Sequence, residues 1–160
     1  MTSTTEATDA SDFERVSWHD NVVYGLRLEI GDPERDDWRS NLVLDLDHIV
    51  EWVCDSDGGC QFRVAPATLT FHHATDLQVA IDCGDTGGQI ALHALSIDAI
   101  TRERITDQKI CFDRPYYRWR IAFNWPQGGE IRFGASDFTL NLRAEPVLLD
   151  EQQLSPLDRD

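Results

Sequence analysis

Apolar and polar residues alternate with a period of two along most of this 160-residue chain, and this alternation limits its possible folds. Side chains of a strand point alternately to the two faces of a sheet, whereas those of a helix repeat every 3.6 residues. The strongest such run is Tyr117–Trp125, and a second is Val22–Ile30. Its alternate apolar residues are Val22, Tyr24, Leu26, Leu28 and Ile30. The sequence therefore predicts a mainly β chain.

Eight or nine such runs are separated by short turns rich in Gly, Pro and Asp, without helical patterns between them. This spacing predicts an antiparallel sandwich or barrel. Near the C-terminus, residues 146–154 could form one short helix or a tail that packs back. The length suits one domain. We expect residues 13–154 to form it, between disordered tails at 1–12 and 155–160.

Two local features refine the strand pattern. The turn Asp55–Gly59 predicts a hairpin, because its glycines accept a positive φ. The alternation of the following strand shifts register at Pro66, which predicts a β-bulge there. A further strand is expected over Gln89–Ile100, where alternate residues are again apolar.

The formal charge of −15 narrows the classes of partner. A negative field of this size repels phosphate backbones and anionic lipids, so nucleic acids and membrane surfaces are disfavoured. It attracts a basic protein instead. Acids outnumber bases in both end segments and in the central span.

The first twelve residues contain neither a basic nor an apolar region of the kind found in secretory signals, so a cytoplasmic location is expected. Reduced thiols are then the default for all four cysteines. Cys54 and Cys60 flank the predicted hairpin turn and precede His72–His73, but their spacing does not fit a common zinc knuckle. A cross-hairpin disulfide is geometrically possible, but it conflicts with the expected compartment, so free thiols are favoured. We therefore predict neither a metal nor a cofactor.

Asp45, Asp47 and Glu51 are predicted to share one strand face and form a candidate acidic surface. Three such carboxylates could bind a divalent cation or supply an acid and a base. The favoured interpretation is that they are solvated, or paired with Arg118 and Arg120 of another strand.

Trp18, His19 and Asp20 form a second candidate motif, in which a carboxylate could orient the imidazole. A nucleophile would have to come from Cys83 or Cys111, and the sequence does not bring them together. Because no recognised catalytic or phosphate-binding motif is present, we assign no catalytic residue.

Three runs, at residues 18–25, 37–52 and 64–72, resemble a family of uncharacterised bacterial proteins. The resemblance covers roughly residues 16–145 and implies a bacterial origin, but no activity. The Trp18-His19-Asp20 opening followed by strands is also similar to small immunity proteins of polymorphic toxin systems.

These observations favour a non-enzymatic, acidic protein-interaction domain, of the immunity or accessory type, with a basic protein as its partner. The alternative is a small-molecule-binding β-barrel whose cavity is lined by the aromatic strand faces. A metal-dependent or thiol hydrolase is the third hypothesis.

Overall fold

The computed structural model describes residues 10–84, 91–106 and 114–159, with side chains from Phe13 onward. Short 3-10 turns lie at Ala10–Arg15, Pro33–Arg35 and Pro156–Asp158. The strands are β1 (Val22–Ile30), β2 (Ser40–Cys54), β3 (Cys60–His72), β4 (Thr75–Ala80), β5 (Leu95–Arg104), β6 (Tyr117–Trp125), β7 (Glu130–Ala135), β8 (Asp137–Leu142) and β9 (Val147–Leu149).

The strands form one antiparallel sheet in the order β4-β7-β6-β5-β1-β2-β3-β8, with β9 also paired to β3. The sheet folds over, because the Phe71 ring on β3 lies 4.9 Å from Trp119 on β6 and 4.7 Å from Phe133 on β7, between ring centroids. Apolar side chains of both halves fill the space between them. The predicted mainly β, antiparallel fold is confirmed.

The two halves of the sheet are joined by very little pairing. β5 pairs with β1 only at Val22 with Ser96 and Val23 with Leu95. Beyond these residues β1 continues along β2, and β5 continues along β6. Within the described residues, the far side of β1 from Tyr24 to Ile30 therefore has no strand beside it.

A β-bulge at Tyr24 corrects the predicted face of β1. The register passes from Val23 opposite Leu46 to Gly25 opposite Asp45, so Tyr24 is the extra residue. Leu26 and the apolar residues after it share the core face, whereas Val22 lies opposite Asp47 on the outer face. An inserted residue reverses the side-chain alternation, which period-two counting cannot detect.

The second bulge is on β2 at Val50, and it corrects the prediction of a bulge at Pro66. β3 pairs with β2 without a register shift at Pro66, which lies opposite Asp47. The apolar residues of β3 pass from even-numbered to odd-numbered positions, because the two halves of the strand bury opposite faces. Ala67, Leu69 and Phe71 enter the main core, whereas Phe62 and Val64 join a second cluster on the outer face.

The segment after β8 covers that outer cluster. β9 pairs with β3 at residues 62–64, and Leu154 is buried against Ile49, Phe62 and Val64. We call residues 147–159 the C-terminal strap. The sequence allowed a short helix or a tail that packs back at 146–154. The structure has β9 there, and the short 3-10 turn near the C-terminus is Pro156–Asp158. Residues 155–159, expected to be a disordered tail, end in an Arg159 side chain that packs on β2.

Cys54 and Cys60 are joined by a disulfide bond, which corrects the expectation of free thiols. They are directly opposite each other in the β2–β3 register, so the hairpin brings the two side chains together. Of the other cysteines, Cys83 is free and Cys111 lies outside the described residues.

The strand expected at Gln89–Ile100 begins at Leu95 as β5, and its first residues lie partly outside the described ranges. Within the described chain, no helix has the length and apolar character needed to cross a bilayer.

We predict that Phe71→Ala lowers the free energy of unfolding by about 3–5 kcal/mol, because the cavity left between the halves cannot close fully. Urea denaturation followed by tryptophan fluorescence measures this change. Trp38→Ala is the control, since Trp38 is 71% exposed, and it should change stability by less than about 0.5 kcal/mol. Equal effects would contradict a core between the two halves.

Candidate functional site

Asp47 is the only candidate acid that is fully buried, with no exposed surface. Its Oδ2 accepts hydrogen bonds from the Tyr24 hydroxyl at 3.1 Å and the Leu154 amide at 2.9 Å. Its Oδ1 accepts from the Arg159 guanidinium. These three donors come from β1 and the C-terminal strap, so a single carboxylate links three parts of the chain.

The Arg159 guanidinium lies between two carboxylates and an aromatic ring. It donates to Asp45 Oδ1 at 2.8 Å as well as to Asp47, and its Cζ lies 3.6 Å from the centroid of the Tyr24 ring. Arg143 also pairs with Asp45, at 2.7 Å. We call Tyr24, Asp45 and Asp47 the Arg159 seat, and the Arg159 side chain is only 11% exposed in it.

Burial dominates the electrostatics of the seat. It raises the pKa of the Asp47 carboxyl, against the opposing effects of the Leu154 amide and the Arg159 charge. Burial, with the nearby Asp47 charge, also raises the pKa of Tyr24 to about 12. Tyr24 is therefore a neutral hydrogen-bond donor near neutral pH.

Glu51 does not belong to this seat, which corrects the predicted three-acid face. The Val50 bulge reverses the alternation, so Glu51 lies opposite Arg63 on the other face and binds its Nε at 3.0 Å. Arg118 and Arg120, which the sequence suggested as partners, do not pair with the acids of β2. They lie on β6, which is not adjacent to β2, and Arg120 pairs with Glu130 at 2.6 Å.

The structure places Trp18, His19 and Asp20 in three different environments. Trp18 is in the core, and its indole N–H has no hydrogen-bond partner among the described residues. His19 is exposed, with Nδ1 3.1 Å from the Asp98 carbonyl. Asp20, at a positive φ of 63°, accepts from the amides of Asn124 and Gln152. This carboxylate ties the C-terminal strap to the end of β6.

A buried polar pair that the sequence did not indicate lies beside Trp18. The Asn21 side-chain amide donates to His48 Nδ1 at 2.9 Å, and its oxygen accepts from the Ile49 amide. The bond from Asn21 makes Nδ1 an acceptor, so the proton of the neutral ring is on Nε2. Burial lowers the pKa of His48 to about 4.

The described residues do not assemble the hydrolase sites considered above. The His19 ring contacts Asp20 and Asp98. His72 and His73 bond to Thr139 and Ser136 respectively. Within residues 13–84, 91–106 and 114–159, no three His, Cys, Asp or Glu side chains are placed to share a metal ion.

The aromatic strand faces pack against one another. Trp119 and Phe133 stack with centroids 6.4 Å apart, and Phe138 lies edge-on to Trp119 at 6.0 Å. A cleft of about 1230 Å³ lies instead outside the core, between the C-terminal strap and the starts of β1 and β5. Asp20, Tyr24 and His93 are among the residues that line it.

Sequence reasoning therefore missed four residues of these polar contacts, namely Tyr24, Asn21, Leu154 and Arg159. Arg159 is an isolated base in a polar segment, and no sequence pattern connects it with β2. Comparison with known proteins adds no further residue, because no protein-family model, curated protein or solved structure matches this chain.

We predict that the three candidate acids differ sharply in their contribution to stability. Asp47→Ala removes one of the two carboxylates that bind Arg159, and it leaves the Tyr24 hydroxyl and the Leu154 amide without their acceptor. It should cost about 3–5 kcal/mol. Glu51→Ala removes an exposed pair and should cost less than about 1 kcal/mol. Urea unfolding of both variants measures the difference. Equal, small losses would show that Asp47 does not hold the C-terminal strap.

We also predict that His48 makes stability depend on pH. Its folded pKa of about 4 lies below the unfolded value of 6.5, so the unfolded chain binds the proton more readily between these values. The contribution is complete above pH 6.5 and is lost as the pH falls to 4, a difference of about 3 kcal/mol. In His48→Gln this part of the pH dependence should disappear. An unchanged profile of unfolding free energy against pH would contradict the assignment.

Proposed function

We propose that this protein is a non-enzymatic binding domain that pairs the open edge of β1 with an extended segment of a basic partner protein. The observation that supports this proposal is the stretch Tyr24–Ile30, which is hydrogen-bonded to β2 on one side only within the described chain. An unpaired strand edge is a template for another strand, and proteins use it to bind extended peptides.

The side chains along this edge are suited to an incoming strand. Leu26 and Leu28 lie opposite Leu44 and Leu42 of β2, which are fully buried, so all four share the core face of the sheet. Yet Leu28 is 51% exposed and Ile30 is 66% exposed. A strand added to β1 would cover these apolar side chains with its own alternate residues, each burial contributing about 1 kcal/mol.

The charge beside this edge selects a basic partner. The loop between β1 and β2 contains the acids Asp32, Glu34, Asp36 and Asp37 against two arginines. Together with the net charge of −15, it would attract a basic segment and raise its rate of association. Trp38, at the end of the same loop, supplies a further exposed apolar surface.

An immunity or accessory protein that neutralises a basic toxin is one biological setting for such an edge. The proposal keeps the bacterial, cytoplasmic location expected from the sequence. Cytoplasmic thiols are held reduced, so binding at the β1 edge must not require the Cys54–Cys60 bond. The two cysteines lie at the far end of the β2–β3 hairpin, not on β1.

The test uses short synthetic peptides in which Val or Ile alternates with Arg or Lys, and scrambled peptides of the same composition. We expect the alternating peptides to bind more tightly, because only they place all apolar side chains on one face of a strand. Leu28→Lys should weaken this binding by roughly tenfold or more. Isothermal titration at low and high salt, with and without reductant, measures affinity and its dependence on charge.

Val79→Lys is the matched control. Val79 is a similarly exposed apolar residue on β4, the terminal strand of the other half of the sheet, and its replacement should leave peptide affinity unchanged. Equal losses in the two variants, or equal binding of scrambled peptides, would contradict the proposal. So would a wild-type dimer in sedimentation that Leu28→Lys converts to monomer, because a second copy would then occupy the edge.

A further inference from the structure

The Arg159 seat has the composition of a binding site for a guanidinium group. A guanidinium is planar and donates hydrogen bonds in a fixed fork, and it is stabilised over the face of an aromatic ring. The seat meets both requirements. Asp45 and Asp47 accept hydrogen bonds from the edge of the guanidinium, and the Tyr24 ring lies against the face of the guanidinium. What distinguishes it from a simple acidic cluster is that a guanidinium is bound there.

Within residues 10–84, 91–106 and 114–159, the backbone that carries this guanidinium makes few bonds to the rest of the fold. Within Ser155–Asp158, the Asp158 amide bonds to the Ser155 carbonyl and the two side chains bond to each other. The turn Pro156–Asp158 contains no buried residue, and Leu157 is 90% exposed. The last firmly packed residue before Arg159 is Leu154. Arg159 is therefore held mainly by its own side chain, as a tethered ligand is.

We propose that the Arg159 seat is an exchangeable arginine-binding site, in which an arginine of a basic partner protein replaces Arg159. The tether gives Arg159 an effective concentration in the millimolar range, so a free guanidinium competes poorly until the tethered one is removed. A partner arginine would compete because neighbouring contacts hold it near the seat.

This inference rests on the proposed function for its basic partner, but it uses a different surface. The seat lies on the outer face of β1 and β2, whereas Leu26 and Leu28 lie on the core face. Tyr24 reaches the outer face only because it is the bulged residue. The peptide experiment on Leu28 and the experiment below can therefore fail separately.

The test is chemical rescue of Arg159→Ala. Removing the side chain empties the seat and leaves Asp47 without its cation, so the melting temperature should fall. N-ethylguanidinium at millimolar concentration should restore part of it. Ethylammonium, which has the charge without the planar fork, should need roughly tenfold higher concentration for the same shift. Wild type, with the seat occupied, should respond to neither beyond the effect of sodium chloride.

Arg35→Ala is the matched control, because Arg35 pairs with the exposed Asp32 and its removal empties no seat. Its melting temperature should respond equally to both cations. Asp45→Asn combined with Arg159→Ala should raise the N-ethylguanidinium concentration needed for rescue. If Arg159→Ala does not fold, Arg159→Gln provides the same comparison, because its neutral amide fills space without supplying a cation to Asp47. Equal responses to the two cations in the folded variant would overturn the proposal.

Discussion

The buried carboxylate of Asp47 is the constraint on which the outer face of this protein depends. An ionised group without exposure to water is strongly destabilising unless donors and a cation surround it. Here the donors are the Tyr24 hydroxyl, the Leu154 amide and the Arg159 guanidinium. Satisfying one charge thus holds the C-terminal strap against the sheet, and Leu154 closes the second apolar cluster beneath it.

Period-two alternation was sufficient to predict the fold class, because the core face of an antiparallel sheet repeats with the pleat. It was insufficient for the site, because each of two strands contains a bulge. The bulge at Tyr24 moves the tyrosine to the outer face, and the one at Val50 removes Glu51 from the face of Asp45 and Asp47. An extra residue moves every later side chain of the strand to the opposite face of the sheet. The strand β2 was therefore predicted correctly, but the grouping of Asp45, Asp47 and Glu51 was wrong.

The contacts of the C-terminal strap were beyond the reach of local sequence patterns for a different reason. Arg159 and Asp47 are separated by more than a hundred residues, and their pairing follows from the path of the whole chain. The pairing of Arg120 with Glu130 is local by contrast, since it joins the consecutive strands β6 and β7. Where strand order was unknown, the arginines of β6 and the acids of β2 could only be matched by charge.

Amide hydrogen exchange of the free protein is the most direct test of an open β1 edge along Tyr24–Ile30. In an edge strand, the amides directed toward β2 are hydrogen-bonded and the alternate amides face solvent. With an open edge, exchange should alternate between slow and fast from Leu26 to Ile30, beside uniformly slow exchange in the central strand β2. Uniformly slow exchange along β1 would show that another part of the chain already covers this edge, and would contradict the account.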